Sequence, residues 1–370
     1  MRKIICLCMA LLLTFTLSGC AEKVHMKDRI IVQGLGVDFD KEQYKITIQT
    51  YKSSSAQEPK NDFEIYSSSG RTISEAISNI DSNIGQKAFF SNIEIIIFSR
   101  SCFEEGISAI LDFFIRFSQI RKNVSVVCTE KNSAELFEIE SDSFMVPANR
   151  ISKIANSNQS NVNFPESDLI SISERYLNDS RDVYIPIMGL KEEDGKKNIS
   201  FDGILCFEDD YPKGILSNYD TAGFNWIRKY KSEQMIMVQT DKGDYSLSVK
   251  SIKSKIITNI ENNKPVITVK LYLKCNIEEI TSGEDNFIED DIETLTEALN
   301  SQIEQMVKTT VNKAFYEYNS DIFNFGAYVK KQNIKYWKSI DNWSQQKQFS
   351  IIKYDINSDI YRAGRQNRSI

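Results

Sequence analysis

Cys20 is the residue of this chain best placed to form a covalent bond with something outside it. It ends the run Leu17-Ser18-Gly19-Cys20, which closes an apolar segment beginning just after Arg2-Lys3. A basic pair, an apolar stretch too short to cross a bilayer with its flanks, and small residues before a cut make a secretory signal. Here the small residues lead straight into a cysteine, which is the lipobox pattern of secreted lipoproteins. The Cys20 thiol is nucleophilic enough to take a diacylglyceryl group, the leader is cut after Gly19, and Cys20 is N-acylated as the new amino terminus. A short membrane helix with a chance cysteine is the alternative, but it does not explain why all four features fall in this order. Each buried methylene contributes about 0.8 kcal/mol, so a diacyl group holds where a single chain would not. The expectation is a signal peptide at 1–19, a lipidated tether at 20–28, and a body held on the extracytoplasmic face of a membrane by lipid.

The remaining reactive residue types are dispersed. With Cys6 and Cys8 in the leader and Cys20 assigned to lipid, Cys102, Cys128, Cys206 and Cys275 are left. They are far apart and show no Cys-x-x-Cys pairing. Three lie in apolar strand-like runs, as small buried hydrophobes do, with a disulfide as the alternative. The sole histidine, His25, sits in the tether. No zinc ligand set and no Ser/His/Asp triad can be built around it, and no Gly-x-Ser-x-Gly elbow occurs. Gly34-Leu35-Gly36 lacks the third glycine and helix start of a dinucleotide site, so it marks a bulge or a close backbone approach. The acidic groups Glu192-Glu193-Asp194 and Asp209-Asp210 fall in turn-like segments and read as solvated loops. No catalytic residue, cofactor or metal ligand is expected, and the chain does not read as an enzyme.

The 370 residues carry a net charge of −6, with 45 basic and 51 acidic side chains. Removing Arg2 and Lys3 with the leader makes the body more acidic, which argues against a nucleic-acid partner. Hydrophobic content of 41% and charged content of 26% are those of a globular protein. At about 150 residues per domain, two or three domains fit the length. No segment after the leader approaches the roughly 20 apolar residues of a membrane helix.

The elements that must position these residues follow from periodicity. Arg29 to Asp38 and Tyr44 to Tyr51 read as a hairpin turning at Asp38-Phe39-Asp40. Thr72-Ile73-Ser74-Glu75 is a capping box opening a helix with Ile73, Ala76, Ile77, Ile80 and Ile84 on one face. Ile93 to Phe98 is apolar throughout, a strand buried on both faces. A helix around Ile107 to Phe114 and a strand from Val124 to Cys128 complete a first α/β domain, 29–130. A second, 131–230, holds a short helix at Ser133 to Ile139, a break at Pro147, a helix from Glu166 to Leu177 opened by Pro165, strands at Val183 to Ile187, Ile199 to Phe207 and Gly214 to Leu216, and a helix from Asp220 to Tyr230. The third, 231–370, has the clearest pattern. Ile267, Val269, Leu271, Leu273, Cys275 and Ile277 alternate with polar residues and pair with Lys250 to Ile260. Ile292, Leu295, Leu299, Ile303, Val307, Val311, Phe315 and Tyr318 then mark a helix of roughly 40 Å whose apolar stripe covers the hairpin. Phe349 to Ile356 is a strand that could join this sheet, and Arg362, Arg365 and Arg368 form a basic tail. The fold class is mixed α/β or α+β, in three domains, each a mixed or antiparallel sheet with packed helices.

Taken in order, several segments resemble the Ger(x)C spore germination lipoproteins. They are Leu17 to Cys20, Ile31-Val32-Gln33-Gly34-Leu35-Gly36-Val37-Asp38, Ser91 to Phe98, Asp112 to Arg116, Tyr184-Ile185-Pro186, and Ser320-Asp321-Ile322-Phe323-Asn324-Phe325-Gly326 followed by Tyr336-Trp337 and Trp343. This sequence departs from the pattern at Ala21-Glu22 and at Asn324, where the family often has glycine. The resemblance implies a C subunit of a nutrient germinant receptor: three α/β domains without catalytic residues, beside integral-membrane A and B subunits in the spore inner membrane. It implies a part in the nutrient response that releases ions and dipicolinic acid. A lipid-anchored solute-binding protein of a transporter is the alternative. That class needs two repeating strand-helix-strand lobes, which the long hairpin and long helix of the last third do not supply.

Overall fold

The computed structural model describes residues 29–51, 63–139, 145–156, 164–165, 167–229, 234–281 and 289–362. Cys20, the cleavage site, His25, the connector at 53–61, most of the Asn/Ser-rich stretch and the end of the basic tail lie outside the described residues.

Two sheets carry the molecule. The first contains β1 (Arg29–Asp40), β2 (Gln43–Tyr51), β3 (Phe63–Gly70), β4 (Lys87–Phe89), β5 (Ile95–Ser99), β6 (Ser125–Thr129), β7 (Tyr184–Glu193), β8 (Lys196–Glu208) and β9 (Tyr211–Ser217). Their order is β3-β2-β1-β5-β6-β7-β8-β9, with β4 on the other part of β1. The centre is parallel, β1 to β5 to β6, and every residue of β5 and β6 is buried, as their unbroken apolar sequences require. Alternation sends Ile96, Phe98, Val126 and Cys128 to one face, under α1 (Ile73–Ile84), α2 (Ser108–Arg116) and α4 (Leu169–Tyr176). Ile95, Ile97 and Val127 go to the other, under α3 (Pro147–Ala155).

The second sheet is β10 (Met235–Thr240), β11 (Gly243–Glu261), β12 (Lys264–Thr281) and β13 (Ile351–Arg362), in that order. β13 runs parallel to β12 from Val266↔Ile351 to Ile277↔Arg362, so the closing strand does join this sheet. Above it lies α6 (Glu289–Val311), extended by a π-helical turn at Asn312–Glu317. Leu295, Leu299, Ile303, Val307, Val311 and Phe315 are wholly buried in one core with Val269, Leu273 and Cys275. The expected stripe therefore meets the hairpin within the chain. α5 (Asn218–Arg228) is buried along nearly its whole length and lies in the same core as Tyr184, Ile204 and Cys206 of the first sheet.

Several boundaries differ from those expected. The first hairpin turns at Lys41-Glu42 (φ 49° and 61°), directly after Asp38-Phe39-Asp40 and not within it. Asp194-Gly195 and Asn262-Asn263 make the same two-residue left-handed turn, whose twist matches that of the flanking strands. Pro147 does not break the chain but occupies the first turn of α3, where its missing N–H costs nothing. α4 begins at Leu169 and not at Glu166, because the Asp168 carboxylate caps it through the Ser171 N–H at 2.7 Å. Strands β3, β4 and β10 fall outside the expected elements; β3 and β10 are edge strands of their sheets, and β4 is a three-residue strand beside β1. The first sheet also runs across residue 130 through Cys128↔Ile187, so β7 to β9 extend it where a separate second sheet was expected.

Candidate functional site

The segment Ser320 to Gly326 packs where the two sheets meet. Asn319 and Asn324 both adopt left-handed backbone (φ 48° and 66°), a conformation that asparagine tolerates where most side chains do not. At Asn324 this turns the chain into α7 (Phe325–Gln332). Between them Asp321 is fully buried. Its carboxylate accepts the Phe325 N–H (2.9 Å), the Gly326 N–H (2.7 Å) and the Trp343 indole Nε1–H (3.0 Å). A Cβ at Gly326 would run into the Trp343 ring and the Ser180 carbonyl, so this contact admits only glycine.

A second carboxylate ties this loop to the first sheet. Asp182, just before β7, accepts the Asp321 N–H (2.6 Å) and the Lys347 ammonium (2.7 Å) on Oδ2, and the Asp209 N–H (3.2 Å) on Oδ1. In return the Asp182 N–H donates to the Asp321 carbonyl at 3.1 Å. Lys347 is wholly buried and Asp182 nearly so. The Ser320 hydroxyl reaches the Phe207 carbonyl and the Asn319 amide reaches Glu208, both on β8. Burial pushes the Asp321 carboxyl up to about 6; the Gly326 and Phe325 N–H groups pull it back, Asp182 raises it and Lys347 lowers it. The cluster holds two carboxylates, a lysine and a tryptophan in one hydrogen-bonded arrangement. It is built to fix two surfaces together. Beside it opens a cleft of about 520 Å³ between the loop after α4 and the segment from Trp337 to Lys347.

The other residues singled out in the sequence are apart from this junction. The four described cysteines are free and buried, with burial raising each thiol; Cys102 and Cys275 are pushed up to about 12. A Cβ at Gly34 would lie 2.6 Å from the Phe137 ring, and the β1 register shifts between Val32 and Gly34. Bulge and close approach are both present. Glu192, Glu193 and Asp194 are exposed at the β7–β8 turn. Asp210 is not a free loop acid: it accepts the Ser108 N–H (2.8 Å) and hydroxyl (2.9 Å) and so caps α2 from another element. Asp38 does the same for the short helical turn at Ser133, at 2.8 and 2.7 Å. Among the described residues no group of three His, Cys, Asp or Glu side chains could hold a metal ion. Sequence reasoning missed Asp182 and Lys347, which are isolated in sequence. The only signal was the resemblance of the segments around them.

Comparison with known proteins agrees with this architecture. Residues 22–190 match the family model described as a spore germination protein N-terminal domain, and residues 202–364 match the one described as spore germination B3/GerAC-like, C-terminal. Spore germination protein B3 of Bacillus subtilis (strain 168) is 24% identical over 94% of this chain and 95% of its own length. Spore germination protein KC of the same organism is 21% identical over 100% and 98%. The crystal structure of the GerBC protein superposes with a TM-score of 0.57 at 20% identity, covering 88% of this chain and 96% of that one. A chain that matches both family domains in order, over nearly its full length and with the same fold, belongs to the Ger(x)C family of spore germination proteins.

Proposed function

We propose that this chain is the lipid-anchored, non-catalytic C subunit of a spore nutrient germinant receptor. The observation that carries the reading is the match to both family domains across the whole body, in proteins whose names assign them to spore germination. The lipid is attached at Cys20 after cleavage behind Gly19, which places the body on the outer face of the spore inner membrane. No helix among the described residues is long and apolar enough to cross a membrane, which is in keeping with a lipid as the means of attachment. The partners are the integral A and B subunits. The subunit acts by holding them in register and not by making or breaking bonds. Exposed side chains such as Leu177, Tyr219, Met237 and Phe349 offer apolar contact for such docking.

Spores from which the gene has been deleted test the role. They are expected to lose dipicolinic acid release in response to at least one nutrient, with the wild-type gene restoring it and a Cys20→Ala gene restoring it poorly. A deletion that leaves the response to every effective nutrient unchanged contradicts the assignment.

A further inference from the structure

The cleft beside the buried junction contains two arginines that the fold does not neutralise. Arg175, on α4, is only 6% exposed. Its guanidinium lies 3.9 Å over the Tyr184 ring and donates through Nη2 to the Tyr184 hydroxyl at 2.8 Å, while its buried Nη1 meets no acceptor. Arg181, half-buried in the loop that follows, donates through Nη2 to the Glu174 carbonyl at 3.3 Å, and its Nε meets no acceptor either. Both line the cleft, together with Trp337 and Trp343. Five aspartates line the same cleft: Asp182 is paired with Lys347, Asp179 with Lys330, and Asp210 is bonded to Ser108, while Asp209 and Asp341 pair with neither arginine. Among the described residues neither arginine has an ion pair. Burial and the nearby charges of Arg175 and Arg228 hold the Arg181 guanidinium below its ordinary range.

A buried guanidinium with a free N–H next to a second one is costly unless an anion completes it. Its planar fork fits a carboxylate or a phosphate. The charge of the five lining aspartates disfavours a doubly charged anion and so favours a monocarboxylate. A volume of about 520 Å³ holds a small molecule, and the two indoles, with centroids 5.7 Å apart, supply an apolar wall. We propose that this cleft binds a small organic monocarboxylate, its carboxylate taken by Arg175 and Arg181 and its apolar part lying against Trp337 and Trp343. The site stands apart from the receptor reading and could be occupied whatever the chain docks on.

The test uses the full chain in detergent and sodium butyrate as probe, with sodium chloride at equal ionic strength, 1-butanol and sodium phosphate as comparisons. Butyrate is expected to give a saturable change in tryptophan emission and a rise in melting temperature that chloride and butanol do not give. Arg181→Gln weakens the response about tenfold or more, as loss of a charged hydrogen bond requires, and Arg181→Lys less so. Arg175→Lys is not relied on, because its burial makes it a folding risk. An absent or unsaturable response overturns the proposal, as does an equal response in an Arg181→Gln protein that melts like the parent. A stronger response to phosphate than to butyrate overturns the choice of a carboxylate.

Discussion

Carboxylates in this protein act at a distance from their own element. Asp38, Asp210 and Asp321 each bind backbone N–H groups that open a helical turn, two of them on a segment remote in sequence. Such N–H groups are unsatisfied within the helix and carry its positive dipole end, so a buried carboxylate there is compensated. Asp321 shows the limits of that compensation. Its folded-state value of about 6 lies above its unfolded value near 4, so the folded state holds the proton more tightly. Its contribution to stability is present below pH 4 and lost as pH rises through 6. The gap in unfolding free energy between Asp321→Asn and the parent should therefore move in the variant's favour by about 2 kcal/mol between pH 4 and 6. A gap constant across that window contradicts it. Lys347→Met leaves Asp182 buried without its cation and is expected to cost about 3 to 5 kcal/mol in denaturant unfolding. None of this pairing is legible in the sequence, since Asp182 and Lys347 lie 165 residues apart. The glycines were legible, because Gly34 and Gly36 in an apolar strand have few other reasons to be there.

At the scale of elements, what could be read was whatever a single face dictates. The alternation from Ile267 to Ile277 and the stripe from Leu295 to Phe315 each name a buried face, and the two faces meet in one core. Leu299→Ala removes a wholly buried side chain from that contact and is expected to lower unfolding free energy by about 2 to 5 kcal/mol; a loss under 1 kcal/mol contradicts the packing described. Thr72 accepts the Glu75 N–H at 3.1 Å and Glu75 accepts the Arg71 N–H at 2.7 Å, so the predicted capping box closes on the residue before the cap. Thr72→Ala should cost about 1 kcal/mol in the same measurement. β3 is illegible because its Ser67-Ser68-Ser69 run carries no apolar alternation, and β10 because six residues give too short a pattern beside the long hairpin. An edge strand takes its conformation from the neighbour it pairs with, which a local pattern does not contain.

Across the whole molecule, the two sheets are joined by a shared core and a polar lock. α5 and the inner face of β7 to β9 pack into the second sheet's core, and the Asp182–Lys347–Asp321 cluster closes the seam. A division of the chain by sequence pattern cannot see that seam, because Cys128↔Ile187 and Asp182–Lys347 are long-range pairings set by topology. The most direct measurement solubilises native spore inner membrane in mild detergent, captures this chain by a carboxy-terminal tag and identifies what comes with it by mass spectrometry. The account predicts two integral subunits in fixed ratio to the chain and an acylated Cys20 at its amino terminus. A chain recovered alone, beginning at an unmodified residue, would contradict it.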